Sequence, residues 1–225
     1  LRQRDGAIQQ RICSKDAIVS TPVVKDGRVY FSSFDNHLYA ADHKTGAAQW
    51  TVDLKAPAPG DLALADGRIV AGSRTYDLTA HDLTTGRTDW TNYFWFSWVD
   101  SAPVEDGGQM FVGSSDSLRV FAIDPKTGRT IWSRFIGGWA WARPAVDSRT
   151  VYAGAVGNTS MRYLGPRMGG LAAIDRASGR LKWMFRPPHD DKALISGFAA
   201  GPLALPGRVY AADLEGNVYA FPAIN

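Results

Sequence analysis

Two stretches of the chain, NYFWFSWVDSAP (92–103) and GGWAWARP (137–144), set aromatic rings beside isolated charges. They supply Trp95, Phe96, Trp98, Trp139 and Trp141, with Asp100 and Arg143 close behind. Flat rings of this kind stack on sugar faces, on aromatic peptide side chains or on planar cofactors. Arg143 beside Trp141 can clamp a carboxylate while the ring stacks. An Arg143–Asp100 ion pair is the plainer use of the same two charges. Alternating aromatics also suit strand core, so Phe94 and Trp95 carry both a core reading and a stacking reading. Two longer segments, AVGNTSMRYLGPRMGG (155–170) and FRPPHDDKALISGF (185–198), add Arg162, Tyr163, Arg167, His189, Asp190 and Phe198. These form either a wall over the aromatic rim or a pair of variable surface loops.

Catalytic signatures are missing. The four histidines, His37, His43, His81 and His189, show no metal-ligand spacing. One cysteine, Cys13, excludes an internal disulfide and C-x-x-C chemistry, and its setting in RICS reads as a buried small hydrophobe. His189 with Asp190 and Asp191 reads as a solvated loop. No G-x-S-x-G, H-E-x-x-H or P-loop occurs, so no reaction is specified.

The elements that must position these residues come from a repeat. KTGAAQW (44–50), TTGRTDW (84–90), PKTGRTIW (125–132) and ASGRLKW (177–183) each place a Trp four residues after a Gly. The marker glycines Gly46, Gly86, Gly128 and Gly179 are 40, 42 and 51 residues apart. Gly6 lies 40 residues before Gly46, with Gln10 in the Trp slot. A second element runs in phase: TPVVKDGRVYFSS (21–33), GDLALADGRIVAGS (60–73), SAPVEDGGQMFVGS (101–114), ARPAVDSRTVYAG (142–154) and AGPLALPGRVYAAD (200–213). A third is HLYAAD (37–42), DLTAHD (77–82), RVFAID (119–124), LAAID (171–175) and NVYAF (217–221). Each repeat therefore has four short strands, A to D, joined by Gly and Asp turns. The Trp falls on the outermost strand D and packs between neighbouring sheets. Four-stranded sheets at a period of about 40–45 residues predict β-propeller blades. The last repeat lacks D and the N-terminus offers only D. The expectation is therefore an all-β, five-bladed β-propeller of four-stranded antiparallel blades, closed by the N-terminal strand completing the last blade. One domain spans 1–225, with blades near 19–54, 58–95, 99–136, 140–187, and 198–225 plus 1–12.

In such a ring the D-to-A links and the B–C loops share one face. The links count 12, 12, 13 and 12 residues between equivalent slots, and 19 from Trp183 to Pro202. The ligand-binding residues expected on this face are Trp95, Trp98, Asp100, Trp139, Trp141, Arg143, Arg162, Tyr163, His189 and Phe198.

The motif set x-P-V-V-x-x-G-x-V-Y, L-Y-A-x-D and K-T-G-x-x-x-W resembles the PQQ-like β-propeller repeat family over nearly the whole chain. That resemblance implies one of three roles: a quinoprotein dehydrogenase using PQQ and calcium, a BamB-type assembly scaffold, or a sensor domain. The single Cys and the material for only five blades depart from the dehydrogenase pattern, so neither PQQ nor calcium is carried onto a residue, and no cofactor is expected. The net charge is +3 with charges interspersed, which argues against nucleic acid. No apolar run reaches the roughly 18 residues of a membrane span. A start at Leu1 rather than Met is expected of a processed or excised chain. The leading expectation is a non-catalytic, monomeric binding or scaffold propeller, periplasmic or extracellular, that recognises a protein, peptide or small ligand. A PQQ-dependent oxidoreductase and a lectin-like sugar binder are the alternatives.

Overall fold

The computed structural model describes residues 4–158, 168–188 and 194–223, and among them the protein is all-β. Three sheets follow the repeat strand for strand. Sheet 1 is β1 (Val23–Lys25), β2 (Arg28–Ser32), β3 (His37–Asp42) and β4 (Ala48–Asp53). Sheet 2 is β5 (Ala63–Ala65), β6 (Arg68–Gly72), β7 (Asp77–Asp82) and β8 (Thr88–Tyr93). Sheet 3 is β9 (Val104–Asp106), β10 (Gln109–Gly113), β11 (Arg119–Ile123) and β12 (Thr130–Phe135). Sheet 4 adds a strand to this plan: β13 (Ala145–Val146), β14 (Thr150–Asn158), β15 (Gly170–Asp175) and β16 (Leu181–Phe185), with β17 (Ile195–Gly197) pairing the far end of β14. Sheet 5 holds β18 (Leu203–Leu205), β19 (Arg208–Ala212) and β20 (Val218–Pro222). All pairings are antiparallel and the sheets stand side by side, β5 by β9, β9 by β13 and β13 by β18.

The C–D turns show why the marker residues recur. Asp42 accepts from the Thr45 N–H and hydroxyl, Asp82 from the same groups of Thr85, and Asp175 from those of Ser178. The glycine that follows takes φ between +69° and +74° at all four turns, a conformation open to Gly at little steric cost. A bulge then shifts the register in each C–D pair of sheets 1 to 4 and turns the Trp toward the next sheet. There its indole N–H donates to the residue after the neighbouring turn Asp: Trp50 to the Leu83 carbonyl at 3.1 Å, Trp90 to that of Pro125 at 2.9 Å, Trp132 to that of Arg176 at 2.9 Å. The ring lies on the neighbouring marker glycine, so closely that a Cβ on Gly128 would sit 2.5 Å from Trp90. The core is a series of such seams. Tyr30, Leu38 and Ala40 meet Ile69 and Ala71, and Val70, Leu78 and Ala80 meet Met110, Val112 and Ile123.

The N-terminal segment departs from the expected ring closure. Residues 4–22 contain no strand, and β20 has no fourth partner among the described residues. The segment instead lies on sheet 1. Gln10 Nε2 donates to the His43 carbonyl at 2.7 Å, the bond that a Trp makes at the other seams. Cys13 is exposed, not buried: among the described residues no sheet covers the other side of this segment.

Candidate functional site

Links and B–C loops do meet at one end of the sheets. One residue near this end of each sheet donates its N–H to the adjacent link: Phe34 to Ala17, Arg74 to Pro57, Ser115 to Trp98 and Leu214 to Gly197, each the second residue after its strand, and Val156 within β14 to Trp139. The links press so close that a Cβ on Gly72 would sit 2.2 Å from the Val99 carbonyl, and one on Gly113 2.1 Å from that of Ala140. This contact fixes the backbone that carries the aromatic residues.

Within that frame Trp98 lies under Arg74, whose guanidinium carbon is 4.7 Å from the ring centroid. Arg74 also pairs with Asp100, Nη2 to Oδ2 at 3.4 Å. Arg74 Nε and Asp100 Oδ1 are buried and make no hydrogen bond in the protein. Burial pushes the Asp100 carboxyl above its usual range, the Arg74 charge opposing and Asp116 adding to it. Next along the rim, Trp139 and Trp141 stack with centroids 4.8 Å apart and planes at 9°. Trp139 is buried and Trp141 is 39% exposed. Trp141 Nε1 donates to Ser115 Oγ at 3.2 Å, so Ser115 ties the Trp141 and Trp98 links together.

A third feature projects from the rim. The Ser97 N–H donates to the Phe94 carbonyl, closing a turn whose central residues, Trp95 and Phe96, have φ of +47° and +59°. Mirror-image turns of this kind are normally built from Asn-Gly. Two bulky residues there cost on the order of 1–3 kcal/mol each. The turn holds Trp95 80% and Phe96 70% exposed. Phe96 meets Tyr76 and Tyr93 edge-on at 5.6 and 6.0 Å, and Trp95 meets Tyr93 at 6.1 Å. Phe94 by contrast is core, 4.5 Å from Phe121.

Of the residues expected from sequence, Trp98, Asp100, Trp139 and Trp141 come together, and Trp95 stands on the adjoining turn. Asp100 pairs with Arg74 and not with Arg143, which is exposed. Phe198 is fully buried: its ring packs against Phe185 and Tyr219, where it fills the seam between sheets 4 and 5. Arg162, Tyr163, Arg167, His189 and Asp190 lie outside the described residues. Arg74 and Ser115 went unnoticed in the sequence. The signal was an Arg in a loop slot that holds Phe34, Ser115 and Leu214 elsewhere. No three His, Cys, Asp or Glu side chains among the described residues are grouped to hold a metal. A hollow of about 470 Å³ lies at the opposite end of the sheets, between Asp147–Arg149 and Ala204–Gly207, and shares no residue with the aromatic rim.

Residues 2–154 and 35–225 match, in two overlapping stretches, the family described as outer membrane protein assembly factor BamB. The chain belongs to this PQQ-like, BamB-type β-propeller repeat family. It is 24% identical to BamB of Yersinia pestis over 98% of its own length and 65% of that protein. It is 30% identical to the dehydrogenase subunit of the quinone alcohol dehydrogenase of Gluconobacter oxydans, over 83% of its length and 27% of the relative. Among solved structures, BamB from Moraxella catarrhalis superposes with a TM-score of 0.73 at 20% identity, covering 92% of this chain and 62% of that one. The quinohemoprotein alcohol dehydrogenase of Comamonas testosteroni gives 0.75 at 20%, covering 93% and 42%. The chain thus spans between a quarter and two thirds of these relatives, which divide between assembly factors and quinone-dependent enzymes.

Proposed function

We propose that residues 1–225 act as one propeller domain and as a non-catalytic binding module, with a protein, peptide or small ligand held on the link and loop face, in the periplasm or outside the cell. The observation that carries this reading is the Arg74–Asp100 pair, with Arg74 stacked over Trp98 and one buried atom on each side chain left without a hydrogen bond in the protein. Arg74 Nε offers a donor and Asp100 Oδ1 an acceptor, while Trp98, Trp141 and the Trp95–Phe96 turn offer apolar surface around them. The family match to an assembly factor supports a protein partner. Trp98→Ala with Trp141→Ala is expected to abolish capture of peptides on an array and to leave the circular dichroism spectrum unchanged. Intact capture by the folded double variant would sink the proposal. A glycan array separates the sugar-binding alternative.

A quinone enzyme is the second reading, because several relatives carry that name. The described residues do not fit the group. They hold no group of three His, Cys, Asp or Glu side chains placed to share a metal, and the sole cysteine is exposed. No step is therefore derived through a quinone. Reconstitution with PQQ and calcium, followed by a dye-reduction assay, is expected to be silent.

A further inference from the structure

Two charges on the rim stand in slots that are uncharged elsewhere in the repeat. The slot of Arg74 holds Phe34, Ser115 and Leu214 in other loops, and that of Asp100 holds Pro59, Trp141 and Ala199 in other links. The Arg74 N–H donates to the Pro57 carbonyl at 3.0 Å and the Ser115 N–H to the Trp98 carbonyl at 3.0 Å, so peptide groups fix both the loop and the link. Neither charged side chain repeats as part of the scaffold.

The two charges also fit each other poorly. A well-made Arg–carboxylate pair is bidentate, with two parallel hydrogen bonds of about 2.7–2.9 Å. Arg74 reaches Asp100 through one contact of 3.4 Å, and Arg74 Nε and Asp100 Oδ1 are buried without a hydrogen bond in the protein. A buried polar atom left unbonded costs free energy, so Asp100 holds Arg74 weakly. The Arg74 side chain is 36% exposed and has a way out to solvent.

What surrounds the Arg74 guanidinium is a seat for a cation. Trp98 lies against it at 4.7 Å, Asp100 faces it, and Asp116 brings a second negative charge near enough to act on Asp100. Trp98 and Trp141 remain exposed beside the seat.

We infer that Arg74 is a placeholder, occupying in the unbound protein the position of an arginine supplied by a peptide or protein partner. The inference rests on the reading above that this face binds a ligand, and it names what that ligand brings. The partner's guanidinium lies over Trp98 and meets both oxygens of Asp100, while Arg74 turns out to solvent. Asp100 Oδ1 becomes reachable through the volume that Arg74 leaves. Like charge replaces like, so no buried charge loses its partner. Arginine serves better than lysine, because its planar fork matches a carboxylate and stacks on an aromatic ring. The work of displacing Arg74 lowers the affinity of the unaltered chain.

Peptide arrays in which each arginine is replaced in turn by citrulline, a neutral side chain of nearly the same shape, test this. Captured peptides are expected to contain an arginine whose replacement lowers capture at least about tenfold. Arg74→Gln empties the seat and is expected to bind these peptides at least about tenfold more tightly. Adding Asp100→Asn is expected to remove that gain. Capture that Trp98→Ala with Trp141→Ala abolishes, but that citrulline leaves unchanged, overturns the inference and leaves the binding reading standing. Equal or weaker binding by folded Arg74→Gln also overturns it. No capture at all overturns both. The citrulline comparison needs only the unaltered chain and stands even where an Arg74 variant does not fold. Thermal melts with ethylguanidinium give an independent readout. This cation is expected to raise the melting temperature of Arg74→Ala, but not that of Arg74→Ala with Asp100→Asn or of the unaltered chain. Equal responses in all three overturn the inference.

Discussion

Gly6 and Gly128 share a backbone conformation and differ in what surrounds it. Their φ values are +71° and +72°; no atom would lie within 4 Å of a Cβ on Gly6, while Trp90 would lie 2.5 Å from one on Gly128. Gly6→Ala is expected to cost only the left-handed strain, about 1–2 kcal/mol. Gly128→Ala adds the displacement of a packed indole and is expected to cost at least about 2 kcal/mol more, read from urea midpoints. The Trp95–Phe96 turn makes the opposite case. Replacing the pair by Asn-Gly relieves two strained residues, and a gain of about 1–2 kcal/mol is expected. The same variant is expected to weaken ligand capture, because the strain holds two rings in solvent. A stabilised variant with unchanged capture would show that this turn takes no part in binding.

At the scale of the element, β7 carries the one histidine among the buried strand positions. His81 takes the slot of Ala41, Ile123 and Ile174, and burial lowers its pKa from 6.5, the Gly86 carbonyl and Asp89 opposing this. The folded state thus holds the neutral ring. Protons bind the unfolded chain first as pH falls below 6.5, so stability is full above that value and declines through it toward the lower folded pKa. His81→Ile is expected to flatten the decline that sets in as pH falls below about 6.5, in a series of thermal melts. A second decline belongs to the C–D turns. Asp82 lies below the usual carboxylate range chiefly through the Thr85 N–H, and Asp175 through the Ser178 hydroxyl. Their contribution is present above about pH 4 and lost as pH falls through the lowered folded values.

These elements also show how far the sequence could be read. Every strand of sheets 1 to 3 follows from Gly, Asp and Trp spacing, because local turn chemistry and seam packing set them. β17 did not, since its pairing with β14 is a long-range choice with no local signature. Trp98 and Trp141 were legible as residues that break the repeat. Arg74 was not, because its role depends on the approach of a link more than twenty residues away, ending at Asp100. Phe198 was misplaced for the converse reason. It sits in a link by sequence, yet its ring fills a seam.

For the molecule as a whole, the main contacts between sheets among the described residues join sequence neighbours, and stability becomes a sum over seams. Sheets 2, 3 and 4 are each held by two seams. Sheet 5 has one seam and three strands. Hydrogen exchange on the single chain is therefore expected to be fastest in β19 and β20 and slowest in β6, β7, β10 and β11. Uniform protection across all five sheets would mean that the array melts as one unit.

The close approach of links to strand ends has a consequence for how such a surface changes over time. Ala58, Val99, Ala140 and Phe198 occupy one slot, and each presents its carbonyl to the strand end beside it: Ser32 donates to the first, and Gly72, Gly113 and Gly154 have no Cβ to obstruct the others. The path of the link is set by peptide groups, which every residue type shares. The slot residues themselves are buried, but the exposed side chains beside them, Trp98 and Trp141 among these, are left far freer to vary. A propeller built this way can exchange one specificity for another by point substitution along a fixed track, with no need to rebuild the scaffold each time.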